Sequence, residues 1–194
     1  TGTITVESGG EFNNSGTLYN GYAYAEAYPG SATTAIATGT IAIESGGEFN
    51  NSGTLYNDYA YAAGRGGTET ATATGTINNA GIFNNTGSLI GGTVNNNDGG
   101  VFNQQAGTAI GISGREVTFN NSGTFNIGYG DPAPALATTQ LYGNFTQSST
   151  GVLAIRADWN GSDPGKSDKL AITGNATLAG SIVVTPINFP TTPG

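Results

Sequence analysis

Carboxylates are the first groups to consider, because this chain has no histidine to move a proton. Asp158, Asp163 and Asp168 lie close together, and Glu7/Glu44 and Glu11/Glu48 recur at equivalent places in two repeats. Paired carboxylates at a fixed separation can cleave glycosidic bonds. The recurring Glu residues belong to the repeat itself, and like charges stacked on one another repel unless solvated. They are therefore expected on exposed faces and corners. Ser167 and Lys169 are near enough in sequence for a Ser–Lys pair, but there is no G-x-S-x-G and no His base. Both residues are assigned to structure. Asp158-Trp159-Asn160-Gly161-Ser162-Asp163 alternates oxygen-bearing side chains as a calcium loop does. It lacks the Gly and distal Glu of an EF-hand, and a solvated turn accounts for it. With no Cys, His or Met, disulfides, thiol nucleophiles and Cys/His zinc sites are excluded. The chain is expected not to be an enzyme and to hold no catalytic, metal-binding or cofactor-binding residue.

The candidate ligand-binding residues are Tyr22, Tyr24, Tyr59 and Tyr61. In the run from Tyr22 to Tyr28, a strand period of two places Tyr on one face and Ala on the other. Tyr59 and Tyr61 follow Tyr22 and Tyr24 by 37 residues, so the pairs are expected to stack. Two orientations are open. Small Ala suits a tight interior, which leaves an outward aromatic stripe able to hold a sugar ring or a partner protein. Alternatively, Tyr packs inward or against a neighbouring turn of the chain.

Composition narrows the partners. Thirteen acids and 5 bases give a net charge of −8 over 194 residues, and Arg65, Arg115, Arg156, Lys166 and Lys169 are scattered. A nucleic-acid surface needs clustered bases, and so does an anionic membrane, so neither partner is expected. No apolar run is long enough to span a bilayer. Charged residues make up only 9% of the chain, yet 9 Tyr and 8 Phe recur at regular places. That argues for many short strands with tight turns rather than for disorder.

What positions these residues is internal repetition. Residues 2–20 read GTITVESGGEFNNSGTLYN, and residues 39–57 read GTIAIESGGEFNNSGTLYN. Looser copies run over 75–91, 92–111 and 117–128. Phe12, Phe49, Phe83, Phe102 and Phe119 mark the register, with gaps of 37, 34, 19 and 17. The basic unit is taken as 17–19 residues, each long gap holding two units; a single long turn with a protruding loop is the alternative. Such units suit a right-handed parallel β-helix, an all-β solenoid of about ten turns and about 50 Å. Ile4/Val6 and Ile41/Ile43 alternate with polar residues and are expected inside. Gly and Asn in SGG and NNSG serve the corners, and stacked Asn side chains can form hydrogen-bonded ladders. Seven N-x-S/T sequons, including Asn13, Asn50 and Asn84, are read as by-products of these corners. The organisation expected is a repeat section over 1–140, terminal turns over 141–185 and a tail over 186–194. Asp131-Pro132-Ala133-Pro134-Ala135 is expected to mark a loop before the terminal section. The chain opens inside a repeat and is expected to be part of something longer.

The terminal section carries Gly143, Phe145, Thr146 and Gln147, then Ser167, Asp168, Lys169 and Leu170, then Gly174, Ala176, Leu178, Gly180 and Ile182. In that order these residues resemble the last turns of an autotransporter passenger domain, a type V secreted protein of Gram-negative bacteria. The upstream repeats are more loosely similar to passengers and to filamentous-haemagglutinin-type adhesins. The resemblance implies a right-handed β-helix and terminal turns that act as a folding nucleus. It also implies export through the periplasm to the cell surface or medium, and an outer-membrane β-barrel translocator in the full protein. Adhesion to a host receptor, a glycan or a neighbouring bacterial cell is the function expected, with self-association possible. A passive stalk, a carbohydrate-active enzyme and an ice-binding rod are the competing classes. Regular Thr rows are not evident in the sequence.

Overall fold

In a computed structural model, residues 1–130, 135–159 and 166–187 are described. These residues form an all-β structure built of parallel sheets, with no helix among them. The first seven-stranded sheet contains β1 (Gly2–Val6), β5 (Ala32–Ile43), β9 (Thr68–Asn79), β12 (Thr93–Asn96), β14 (Val117–Asn121), β17 (Gly143–Gln147) and β20 (Ala176–Thr177). The second contains β2 (Glu11–Asn14), β6 (Glu48–Asn51), β10 (Ile82–Asn85), β13 (Val101–Gln105), β15 (Thr124–Tyr129), β18 (Val152–Asp158) and β21 (Ser181–Ile187). A third face joins β3 (Thr17–Tyr19), β7 (Thr54–Tyr56) and β11 (Ser88–Ile90). Single bridges at Ile110 carry it on to β16 (Thr138–Leu141) and β19 (Lys169–Ile172). The chain visits the three faces in turn and returns to the first one layer further on. Among the described residues seven layers result, where about ten turns were expected.

Register explains the difference. Gly2 pairs with Gly39, and Gly39 pairs with Gly75. Thr76 then pairs with Thr93 only 17 positions on. A 37-residue repeat is therefore one layer and not two. Its extra residues form an arch beside the stack. β4 (Tyr22–Ala27) and β8 (Tyr59–Gly64) pair as a two-stranded leaf. That leaf packs on β5 and β9, whose first halves extend past the rest of their sheet. Ala23, Ala25 and Ala27 are buried between the leaves, because only small side chains let two strands approach that closely.

The core is a column of aromatic rings. Phe12, Phe49, Phe83 and Phe102 are consecutive partners on the second sheet, with centroids 4.8–4.9 Å apart and interplanar angles of 17° or less. The next member is Phe125, not Phe119. Phe119 belongs to the first sheet, between Val94 and Phe145. An apolar residue followed by Asn-Asn occurs on both sheets, as in Ile77-Asn78-Asn79 and Phe83-Asn84-Asn85. The motif alone therefore does not say which face it occupies.

Corners are closed by buried amides. Asn14 donates to Asn51 Oδ1 at 2.8 Å, Asn51 to Asn85 at 2.7 Å and Asn85 to Gln104 at 2.8 Å. A second column runs from Asn79 to Asn96, Asn121 and Gln147, and a third links Asn20 to Asn57. Each column also crosses its corner. Asn51 donates to the carbonyl of Ser88, Asn79 to that of Val101 and Asn57 to that of Thr93. These carbonyls open the next strand of the following layer, so one side chain satisfies a corner that has no ladder partner. Glycine completes the corners where space or φ demands it. Gly46 has φ +84°, and a Cβ on Gly75 would fall on the carbonyl of Asn57.

In the terminal section, Asp168 is 2% exposed and takes Arg156 in a two-point pair, Nε to Oδ2 at 2.7 Å and Nη2 to Oδ1 at 3.0 Å. Backbone N–H groups of Arg156 and Ala137 donate to the same carboxylate at 3.2 Å. The pair ties the strand before the 160–165 segment to the strand after it. Pro186 and Ile187 complete β21 rather than beginning a tail. The rest of 186–194, residues 131–134 of the expected loop, and Asn160–Asp163 of the candidate calcium loop lie outside the described residues.

Candidate binding surface

The arch decides which way the tyrosines point. Because Ala23 and Ala25 face the opposing leaf, Tyr22 and Tyr24 must face outward. They are 51% and 44% exposed, and Tyr61 is 51% exposed. Tyr22 stacks on Tyr59 at 5.5 Å and 17°, and Tyr24 on Tyr61 at 5.8 Å and 15°. All four candidate residues therefore stand on one outer leaf, in register across two layers.

Two further tyrosines join them. Tyr19 and Tyr56 end β3 and β7 and stack at 5.1 Å and 8°. They meet Tyr22 and Tyr59 edge to face at 5.2–5.3 Å. Offset stacks and edge contacts are the favoured geometries for aromatic pairs. A four-ring platform thus fills the angle between the third face and the arch. Tyr19 and Tyr56 stand in the repeated Thr-Leu-Tyr-Asn, so a period-two reading of that strand, with Leu18 and Leu55 turned inward, would have identified them.

Charged groups frame the platform. The Arg115 guanidinium lies 4.2 Å from the Tyr59 centroid and 5.8 Å from that of Tyr56, continuing the ring column with a cation. Beside it, a cavity of about 400 Å³ is lined by Asp58, Ala60, Ala73, Gly114, Arg115 and Glu116. Burial raises the Asp58 carboxyl above its ordinary range, against the lowering effects of the Gly92 N–H and the nearby Arg115 charge. On the second stripe, Tyr24 Oη donates to Glu26 Oε2 at 2.8 Å, and this bond raises the phenol pKa. Arg65 Nε sits 2.5 Å from Glu26 Oε1, and its guanidinium lies 5.8 Å from the Tyr28 ring centroid. No local spacing announces Arg115, which reaches the platform from the segment after β13.

The carboxylates considered as acid–base candidates have other surroundings. Glu7 and Glu44 are exposed. Glu11 and Glu48 accept from Asn50 and Asn84 of the following layers at 3.0 and 2.8 Å. Asp168 is held by Arg156. Among the described residues, no three His, Cys, Asp or Glu side chains gather in a metal-binding arrangement.

Rings of fixed spacing, hydrogen-bonding phenol groups and a flanking cation can stack a flat ligand and bond to its polar edge. Comparison of the chain with protein-family models, with curated proteins and with solved structures finds no match.

Proposed function

We propose that the chain is a section of a bacterial surface adhesin, built as a right-handed parallel β-helix in which each layer is one turn. Seven layers of parallel strands among the described residues, three faces visited in order and a ring-filled interior support the β-helix reading. The resemblance of the terminal section to autotransporter passengers supports export through the periplasm to the cell surface, followed in the full protein by a membrane barrel. The ligand is a host receptor, a glycan or a neighbouring cell, bound through the outward rings.

The observation that carries this reading is the outward tyrosine platform, whose rings stack on one another across two layers. Tyr offers a large contact area at low entropic cost, and its repetition lets weak contacts add. The experiment is a screen of glycans and host surface proteins against the folded chain and a Tyr22/Tyr24/Tyr59/Tyr61→Ala variant. Saturable binding lost in the variant is the expected result. A folded chain that binds nothing would favour a stalk. The buried Arg156–Asp168 pair supports a second role for the terminal layers, as the unit that folds first and templates the rest.

A further inference from the structure

The arch stops after two layers. Its outer leaf is β4 and β8, its inner leaf is the first halves of β5 and β9, and the third layer rejoins the first sheet only at Thr93. Among the described residues, Tyr59–Gly64 and Thr68–Thr74 therefore pair on one side only. Two of the arch's open edges, one in each leaf, face along the stack where its other strands continue. The opposite edges, Tyr22–Ala27 and residues 32–38, are likewise unpaired among the described residues, and centring and charge select the β8/β9 side. Within these segments the sole charge is Glu69. Uncharged edges of this kind recruit a further strand.

We propose that this edge is a self-association site at which a second copy adds its own arch, β8 against β8 and β9 against β9, about a two-fold axis normal to the leaves. Three observations select a second copy. First, the β8 leaf extends β4 by laying Tyr on Tyr and Ala on Ala, so the strand that best continues it is another Tyr-Ala strand. A two-fold axis normal to the leaf keeps Tyr outward and Ala inward on both copies. Second, both edges share one centre. The segment from Asp58 to Gly64 is centred on Tyr61, and that from Thr68 to Thr74 on Ala71, each five positions from Gly66 at the tip. Antiparallel pairing about Tyr61 sets the two Tyr61 residues opposite each other and Asp58 opposite Gly64.

Third, charges match. The same pairing brings the arch tip of one copy, with its largely exposed Arg65, to the cavity beside Asp58 and Glu116 of the other. The cavity holds two acids and one base, Arg115, which also lies over the Tyr59 ring, so Arg65 of the second copy balances its charge, exchanging part of its exposed pairing with Glu26. The contact is isologous, so every gain occurs twice. It does not depend on the ligand reading.

Sedimentation velocity over a concentration series, combined with single-cysteine crosslinking, tests the proposal. The chain has no Cys, so Tyr61→Cys reports the axis cleanly. Facing residues of an antiparallel pair lie within disulfide reach. A concentration-dependent dimer is expected, linked under mild oxidation through Tyr61→Cys and not through Ser149→Cys. Tyr61→Glu, which sets like charges opposite each other on the outward face at the axis, should raise the dissociation constant about tenfold or more. Circular dichroism confirms that each variant keeps its sheet content. A monomer at every concentration would overturn the proposal, and so would a dimer that fails to link at Tyr61.

Discussion

The side-chain amide of Asn51 donates at once to Oδ1 of Asn85, 2.7 Å away, and to the carbonyl of Ser88 at 3.0 Å. It also accepts from Asn14 at 2.8 Å. One buried residue therefore satisfies three groups from two adjoining layers. Replacing Asn51 by Ala removes one of the two acceptors of Asn14 Nδ2 and the Asn51 N–H donors to Asn85 and Ser88, in an interior where each lost bond costs free energy. We expect a loss of about 2–4 kcal/mol in urea unfolding. Asn50→Ala, in the outer ladder, should cost about 1 kcal/mol or less. Equal losses at the two positions would show that the inner column has no special role.

The ring column should respond to position along the stack. Phe83 is fully enclosed between Phe49 and Phe102, so Phe83→Ala opens a cavity and should cost about 3–5 kcal/mol. Phe12 lies in the first layer with a ring on one side only and should cost clearly less. Thermal or urea unfolding of the two variants side by side makes the comparison.

The two ion pairs differ in kind. Asp168→Ala removes the two-point acceptor of the Arg156 guanidinium and the acceptor of two backbone N–H groups, and should cost about 3–5 kcal/mol. Arg65→Ala removes a pair at the exposed arch tip and should shift stability by about 0.5 kcal/mol or less. If the terminal layers fold first, Asp168→Ala also slows refolding, which stopped-flow measurements would detect.

Asp58 sets a pH dependence with a definite sign. Its carboxyl is raised by burial, so the folded chain holds that proton to higher pH than the unfolded chain does. Between the two values the native state binds more protons, and stability from this group falls as pH rises through the folded value. Asp58→Asn should keep an acceptor for the Gly92 N–H, remove that part of the slope and be more stable than the parent at about pH 7. A variant with an unchanged slope as pH rises above the ordinary Asp range of about 4 would contradict this assignment.

Much of the architecture was legible because each layer repeats its chemistry. Alternating Ile4/Val6, Phe at one register position and Asn at the corners specified parallel strands and a stacked interior before any coordinates. Two features were not legible. Phe119 and Phe125 both resemble the marker Phe, and only pairing with Val94 and Phe102 respectively separates them. The arch stood only as the second choice, a long turn with a protruding loop, because β4 and the first half of β5 have the length and period of an ordinary layer; small Ala side chains let them pack on each other instead. Period two placed Tyr22, Tyr24, Tyr59 and Tyr61 on one face of their strands but left open whether that face points in or out, which the burial of Ala23 and Ala25 decides. Arg115 was not, since long-range packing brings it to Tyr59.

The claim that the outward tyrosines form a ligand-binding surface is tested most directly by one titration. A ligand found by screening is titrated into the parent chain, the Tyr22/Tyr24/Tyr59/Tyr61→Ala variant and Glu7→Ala as a folded control. The account predicts saturable binding that Glu7→Ala retains and the tyrosine variant loses by at least about tenfold. Equal affinity in all three chains would contradict it and move the adhesive site off the arch.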